Sequence, residues 1–205
     1  MADDVGVWVK ICGITDPSDA VVAMKAGADA IGVNFHPPSV RYCSVDKALA
    51  VRAALPEKFP VYGVFVDRSR DQIQEMLDVG AINCVQLHGS ESAAEAEGWP
   101  VAVIRAVPAG GPEALREAMA AARRYRLLVD SPSGGGSGQT IAGDALVGIA
   151  LGEIVLAGGL TPQNVAAKIA RYRPFGVDVA GGVESTPGAK SHDKIREFID
   201  HARAT

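Results

Sequence analysis

Short apolar runs alternate with stretches of helical spacing along almost the whole chain. Eight such runs predict eight strands, which begin roughly every 25 residues, close to the shortest possible strand–helix–strand step. Because the runs are continuously apolar rather than alternating, they are typical of a parallel sheet covered by helices. The predicted strands are residues 7–12, 30–34, 61–66, 84–87, 101–107, 127–130, 154–157 and 176–179.

Helix-start signals stand between these strands. Each predicted N-cap carries a side-chain oxygen that can accept a hydrogen bond from the first turn of the helix. The predicted N-caps are Asp16, Ser44, Ser69, Thr161 and Ser191. Shorter helices are predicted at residues 92–97 and 144–150, and another is predicted to begin near Val183.

Eight strand–helix units in 205 residues predict a single-domain (β/α)8 barrel that spans residues 1–205. A doubly wound open sheet is the alternative. Such a sheet carries its phosphate-binding glycines after the first strand. Here the glycine pairs follow the last two strands, which favours the barrel.

Composition and charge narrow the class of protein. The formal net charge of −4 argues against nucleic acid as the main partner. No apolar run is long enough to span a membrane, and the N-terminus does not resemble a signal peptide. Three cysteines without metal-type spacing make a disulfide framework or a zinc site unexpected and fit a cytoplasmic protein. We expect no metal ion.

Several side chains capable of chemistry stand at or after the carboxyl ends of predicted strands, where ligands bind in parallel α/β proteins. Cys12 ends the first strand, although a thiol taken alone is more typical of a small core side chain. Asp130 ends the sixth strand, and a carboxylate among apolar residues indicates a paired or functional group. Asp178 is equally consistent with binding a ligand and with holding a loop. Arg41, as a single arginine in a loop, favours an ordinary solvated role, and His88 is ambiguous in the same way.

Two glycine pairs follow the seventh and eighth strands. In barrels, these two loops often bind phosphate through backbone N–H groups and a helix N-terminus. The pairs are Gly158, Gly159, Gly181 and Gly182, and we predict that they bind a phosphate group. A glycine-rich run at residues 134–138 is either a closing lid or a solvent loop.

Together these stretches resemble the phosphoribosylanthranilate isomerase family of tryptophan biosynthesis, essentially from end to end. The resemblance rests on the order and spacing of its motifs: Lys10-Ile11-Cys12-Gly13-Ile14-Thr15, Arg41-Tyr42, Gln86-Leu87-His88-Gly89, Leu128-Val129-Asp130-Ser131, Gly136-Ser137-Gly138-Gln139-Thr140, Ala157-Gly158-Gly159-Leu160 and Val177-Asp178-Val179-Ala180-Gly181-Gly182-Val183-Glu184.

The resemblance implies a (β/α)8 barrel that catalyses an Amadori rearrangement of N-(5-phosphoribosyl)anthranilate without a cofactor or metal. Cys12 is then the general base and Asp130 the general acid. Arg41 would bind the anthranilate carboxylate, Asp178 would line the ribose site, and we add His88 to the substrate-binding residues. Lys10 is interpreted as support for the first strand. The expected partner is this small phosphosugar, bound by a monomer or a homodimer.

The two catalytic roles require an ionised thiol and a protonated carboxyl at neutral pH. A free thiol has a pKa of about 8.5, so little of it is ionised. We expect a polar setting at the strand end to lower the pKa of Cys12. Asp130 is expected to gain its proton through partial burial or as substrate binds.

Two departures from the family pattern concern the ligand loops. Gln139 stands where a lysine is expected, which puts a charged contact from that loop in doubt. Ala180 and Gly181 replace a serine-rich version of the last loop, which removes a hydroxyl group but keeps the backbone donors. Neither departure involves the proposed acid and base.

Three other functions compete with this one. A ribulose-phosphate epimerase would need metal-binding histidines at strand ends, where only His88 is so placed. The related isomerase of histidine biosynthesis would place an aspartate at the position of Cys12. A non-catalytic barrel that binds a phosphorylated ligand or a partner subunit would not need Cys12 and Asp130 together.

Overall fold

The chain forms a closed barrel of eight parallel strands, in which each strand pairs with the next along the chain and β8 pairs with β1. The structure is a computed structural model and describes residues 6–122, 124–130 and 151–205. The barrel strands are β1 (Trp8–Cys12), β2 (Ala30–Asn34), β3 (Val61–Phe65), β4 (Cys84–Leu87), β5 (Ala102–Pro108), β6 (Arg126–Asp130), β7 (Ile154–Leu156) and β8 (Gly176–Val179). The predicted (β/α)8 barrel is confirmed, and the open sheet is wrong.

Six α-helices lie in the described part of the chain and pack around the barrel. They are α1 (Pro17–Ala26), α2 (Val45–Ala53), α3 (Arg70–Asp78), α4 (Pro112–Ala121), α5 (Pro162–Tyr172) and α6 (His192–Arg203). A short antiparallel hairpin of β9 (Glu184–Thr186) and β10 (Ala189–Lys190) follows β8.

The predicted caps begin these helices. Asp16 accepts a hydrogen bond from the Ser18 amide at the start of α1, and Ser44 accepts one from the Lys47 amide at the start of α2. Ser69 and Gln72 form the predicted capping box of α3. Each cap fixes where a helix begins and therefore how long the preceding loop at the strand end is. The remaining predicted N-caps, Thr161 and Ser191, stand at the starts of α5 and α6.

Strand alternation divides the buried side chains into two layers. One set faces the helices and joins the larger core, for example Val9 and Ile11 of β1 with Phe198 of α6. The other set fills the barrel interior toward the amino ends of the strands, where Trp8 packs edge-on against Tyr62. The carboxyl ends of the strands are left to the polar inward-facing side chains.

Two predicted short helices differ in the structure. Residues 92–97 begin with Ser92 and Glu95 bonded to each other's backbone amides, as in a capping box, but the segment remains a set of turns and reaches a left-handed residue, Gly98, with φ 71°. Near Val183 the chain makes a short 3-10 helix, Gly181–Val183, and then enters the β9–β10 hairpin. The predicted helix at 144–150 lies outside the described residues.

No helix within residues 6–122, 124–130 and 151–205 is long and apolar enough to cross a membrane.

Phe198 connects α6 to the barrel, and we expect Phe198→Ala to lower the free energy of unfolding by roughly 3 to 5 kcal/mol because a fully buried ring would leave a cavity. Urea unfolding followed by circular dichroism measures the change. The matched control is Arg196→Ala on the exposed side of α6, whose surface ion pair with Asp193 contributes little. Equal effects from the two variants would contradict the packing assigned to α6.

Candidate active site

One cavity of about 830 Å³ opens at the carboxyl ends of the barrel strands. It collects every residue that the sequence predicted for the site. The predicted residues among its walls are Cys12, Arg41, His88, Asp130, Gly158, Gly159, Asp178, Gly181 and Gly182. The closed sheet therefore brings together residues that lie up to 170 positions apart in the sequence.

Cys12 reaches the cavity floor beside Gly32 of the neighbouring strand. A β-carbon added at Gly32 would lie 2.8 Å from the Cys12 sulfur, so only glycine leaves room for the thiol there. Burial raises the pKa of the thiol, and the Lys10 ammonium opposes this effect without cancelling it. The expected lowering of the Cys12 pKa is therefore wrong, because removal from water outweighs the nearby positive charge.

Lys10, interpreted from the sequence as support for the first strand, lies inside the barrel and is fully buried. Its Nζ donates a hydrogen bond of 2.9 Å to Oδ1 of Asp178, the residue opposite it on β8. Alternation along β1 places Lys10 on the same face as Cys12, and this is the signal that could have identified it. Asp178 faces inward between Val177 and Val179, as the alternation of β8 predicted.

Asp130 is buried at the end of β6 and faces His88, which follows β4. The distance from His88 Nε2 to Asp130 Oδ2 is 3.4 Å. On the other side of the ring, the Gln86 amide lies 3.1 Å from His88 Nδ1. His88 is therefore held between a buried amide and the predicted acid, in contact with one of the predicted catalytic groups.

Arg41 is fixed by a carboxylate from the far end of the chain. Its Nε and Nη2 donate hydrogen bonds of 2.6 and 2.9 Å to the two oxygens of Glu184 in β9. Lys190 of β10 donates to the same carboxylate and to the carbonyl oxygen of Ala180. The pairing orients the Arg41 guanidinium at the cavity wall, and both Glu184 and Lys190 were missed because only the barrel closure makes them neighbours of Arg41.

The two glycine pairs form adjoining loops at one side of the cavity. Gly158 and Gly159 have φ values of 82° and 64°, which favour glycine. A β-carbon at Gly182 would lie 1.8 Å from the carbonyl oxygen of Leu160, so the two loops touch backbone to backbone. Helix α5 begins directly after the first loop, with Asn164 donating a hydrogen bond back to the Gly159 carbonyl. The arrangement presents backbone amides and a helix N-terminus to an anion.

The glycine-rich run at residues 134–138 and the departure at Gln139 lie outside the described residues. The second departure, Ala180 and Gly181, leaves the backbone of the last loop in contact with the cavity. A β-carbon at Gly181 would lie 3.2 Å from Nη2 of Arg41, so a larger residue there would press on the guanidinium.

A closed parallel barrel with its polar cavity at the carboxyl ends of the strands defines a (β/α)8-barrel enzyme. Comparison with known proteins gives the particular family. The family model described as N-(5'phosphoribosyl)anthranilate (PRA) isomerase matches residues 9–201, and the chain belongs to this family.

Individual relatives agree with this assignment. An N-(5'-phosphoribosyl)anthranilate isomerase of Pseudomonas fluorescens (strain Pf0-1) is 42% identical over 198 residues, which are 95% of this chain and 97% of the relative. The enzyme of the same name from Myxococcus xanthus (strain DK1622) is 41% identical over 212 residues, which are 97% of this chain and 97% of the relative. These matches decide against the epimerase, the histidine-pathway isomerase and the non-catalytic barrel.

Solved structures share the fold over nearly the whole chain. The phosphoribosyl anthranilate isomerase of Thermotoga maritima is 38% identical with a TM-score of 0.86, covering 97% of this chain and 100% of that one. Another phosphoribosyl anthranilate isomerase, with 34% identity, a TM-score of 0.79 and the same coverage, was solved in complex with reduced 1-(o-carboxyphenylamino)-1-deoxyribulose 5-phosphate.

Gly182→Ala should raise KM on the order of 10- to 100-fold, because the added methyl group would separate the two loops and remove at least one backbone hydrogen bond to a charged ligand. Steady-state kinetics measure the change. Gly152→Ala is the matched control, since an added β-carbon there meets no atom within 4 Å. An unchanged KM in Gly182→Ala would remove this loop from the binding site.

Proposed function

We propose that Cys12 and Asp130 perform general acid–base catalysis of the reaction that the chain carries out, the Amadori rearrangement of N-(5-phosphoribosyl)anthranilate in tryptophan biosynthesis. The observation that carries the proposal is the position of these two side chains. They stand at the carboxyl ends of β1 and β6 and open onto the same cavity, beside the glycine loops.

The cavity offers a separate contact for each end of the substrate. The phosphate group is bound by the amides of the two glycine loops and by the N-terminus of α5. The anthranilate carboxylate is bound by Arg41, whose guanidinium is already oriented by Glu184. The ribose then lies between them, above Asp178. A relative with the same fold was solved in complex with a reduced carboxyphenylamino phosphosugar, which supports the binding of such a ligand here.

The first step is opening of the furanose ring. Asp130 donates its proton to the ring oxygen as the bond between that oxygen and C1 breaks, and the bonding electrons stay on the oxygen. The lone pair of the anthranilate nitrogen forms the new C1–N double bond. The substrate nitrogen thus serves as the electron sink, and no lysine Schiff base is required.

The second step is removal of the C2 proton. The iminium acidifies this proton, the Cys12 thiolate accepts it, and the electrons move toward nitrogen to give an enolamine. The enolamine becomes the ketone by a tautomerisation that leaves the proton count unchanged. One proton has then moved from Asp130 to Cys12, and its return through the cavity resets the enzyme. The raised thiol pKa implies that activity rises with pH as Cys12 ionises.

His88 and Asp178 act around this pair as substrate-binding residues. The imidazole in contact with Asp130 is partly exposed to the cavity and can bond a ribose hydroxyl. Asp178 lines the floor below the ribose while it holds Lys10.

Three further points belong to the same proposal. Residues 1–205 form one catalytic domain, which the closed barrel from β1 to β8 supports. The enzyme works as a monomer or a homodimer, and one solved relative is named as a monomeric form of a dimeric enzyme. Three free cysteines support work in a reducing compartment, the cytoplasm.

Cys12→Ala and Asp130→Asn should each lower kcat by roughly 10²- to 10⁴-fold with a much smaller change in KM, because each removes one proton-transfer group. The fluorescence change on loss of phosphoribosylanthranilate measures both constants. Cys84→Ala is the matched control for the thiol, since Cys84 is buried near Tyr62 at the amino end of the barrel. A variant that keeps nearly full kcat would lose its assigned role.

Arg41→Ala should raise KM about tenfold or more and change kcat less, because a charge-assisted contact with the substrate carboxylate is lost. Glu184→Gln keeps the guanidinium but weakens its support, so a smaller increase in KM is expected. Kinetics with both variants measure the order. If Arg41→Ala bound substrate as tightly as the parent enzyme, the carboxylate contact would have to lie elsewhere.

A further inference from the structure

We propose that Lys10 is a positioning residue for catalysis, whose buried ammonium stabilises the Cys12 thiolate from inside the barrel. The inference rests on the proposed function, in which Cys12 is the general base. Lys10 itself transfers no proton and does not need to touch the substrate. Its effect is to increase the fraction of thiolate in a place where burial suppresses it.

The backbone places the two groups side by side. Lys10 and Cys12 are two residues apart on β1 and therefore point to the same face of the sheet. Across the pair of strands, Gly32 leaves the space that both side chains occupy. A β-carbon there would lie 2.8 Å from the Cys12 sulfur and 3.2 Å from both Cε and Nζ of Lys10. The Cys12 sulfur and the Lys10 ammonium thus lie on the same side of the Gly32 α-carbon, close to it.

Stability alone does not explain why Lys10 is fully buried. The pair of Lys10 and Asp178 is buried, and a buried ion pair adds little net stability compared with apolar side chains of similar volume. Asp178 keeps the amine protonated: burial favours the neutral form, but the carboxylate and Cys12 together hold the pKa of Lys10 above its ordinary value. Asp178 therefore keeps Lys10 in its positively charged form next to the predicted base.

The other charged groups near Cys12 are less suited to this task. Lys190 and Arg41 also favour the thiolate, but both are bound to the carboxylate of Glu184. Burial lowers the pKa of Lys190, so Lys190 loses its proton more readily than Lys10 does.

Two carboxylates and an imidazole complete the surroundings. Asp178 opposes ionisation of Cys12, but its carboxylate accepts a hydrogen bond from Lys10. Asp130 and His88 lie on the same cavity, at the ends of β6 and β4. Among the groups facing the thiol, Lys10 is the fully buried cation that shares the strand and the face of Cys12.

The test is the ionisation of Cys12 itself, measured as the pH dependence of its alkylation by iodoacetamide. Mass spectrometry of the peptide that contains Cys12 separates it from Cys43 and Cys84. In Lys10→Met, which keeps the chain length and removes the charge, the apparent pKa of Cys12 should rise by about one unit or more, a tenfold loss of thiolate at neutral pH. The rising limb of kcat/KM should move to higher pH by the same amount.

Lys10→Met leaves Asp178 buried without its cation and can fail to fold. The double variant Lys10→Met with Asp178→Asn removes both charges. If the single variant does not fold, the pKa of Cys12 is measured in the double variant instead. If Lys10 acts on Cys12 directly, the double variant also raises the pKa of the thiol. If Lys10 serves only to neutralise Asp178, the double variant returns the pKa to the parent value, and the proposal is overturned.

Lys25→Met, on the exposed last turn of α1, is the matched control for loss of a lysine and should leave the Cys12 pKa unchanged. The alkylation measurement needs no turnover, so it separates the two proposals. A shifted pKa in Lys10→Met together with full kcat in Cys12→Ala would overturn the role of Cys12 as base. An unshifted pKa with an inactive Cys12→Ala would overturn only the role of Lys10.

Discussion

Closure of the barrel by parallel pairing of β1 with β8 is the constraint on which the site depends. The pairing places Lys10 opposite Asp178 and joins the first strand to the last loop. It satisfies the backbone groups that would otherwise form two open sheet edges. It also brings Arg41, which follows β2, within reach of Glu184 in β9. Without this closure, the inward-facing residues of β1 and β8 would not line one cavity.

Glycine residues set the remaining geometry by leaving space. Gly32 makes room for the thiol and the ammonium, and Gly182 allows the two loops after β7 and β8 to touch through their backbones. Each position tolerates no larger residue without a shift in the groups that face the ligand. The chemistry proposed for this cavity therefore depends as much on where side chains are missing as on where they are present.

The charged groups of the cavity form two systems with different purposes. Glu184 joins Arg41 and Lys190 at the rim, where a bidentate pair fixes the orientation of a guanidinium. Deeper in the barrel, Lys10 and Asp178 form a pair that is shielded from water. The rim system is suited to binding a carboxylate of the substrate. The pair of Lys10 and Asp178 is suited to controlling the ionisation of Cys12, because Lys10 shares a strand and a face with the thiol.

The amino-acid sequence by itself determined the barrel, most element boundaries and many of the residues that line the cavity. Apolar runs, caps and strand ends are local features, and they located Cys12, Asp130 and the glycine loops. Local features also misled: Ser92 and Glu95 form the hydrogen bonds of a capping box, yet only turns follow them. Only the tertiary structure decided that Lys10 faces Cys12 and that Glu184 holds Arg41. These contacts join residues far apart in sequence, and burial raises the pKa of the thiol in a way that no local pattern records.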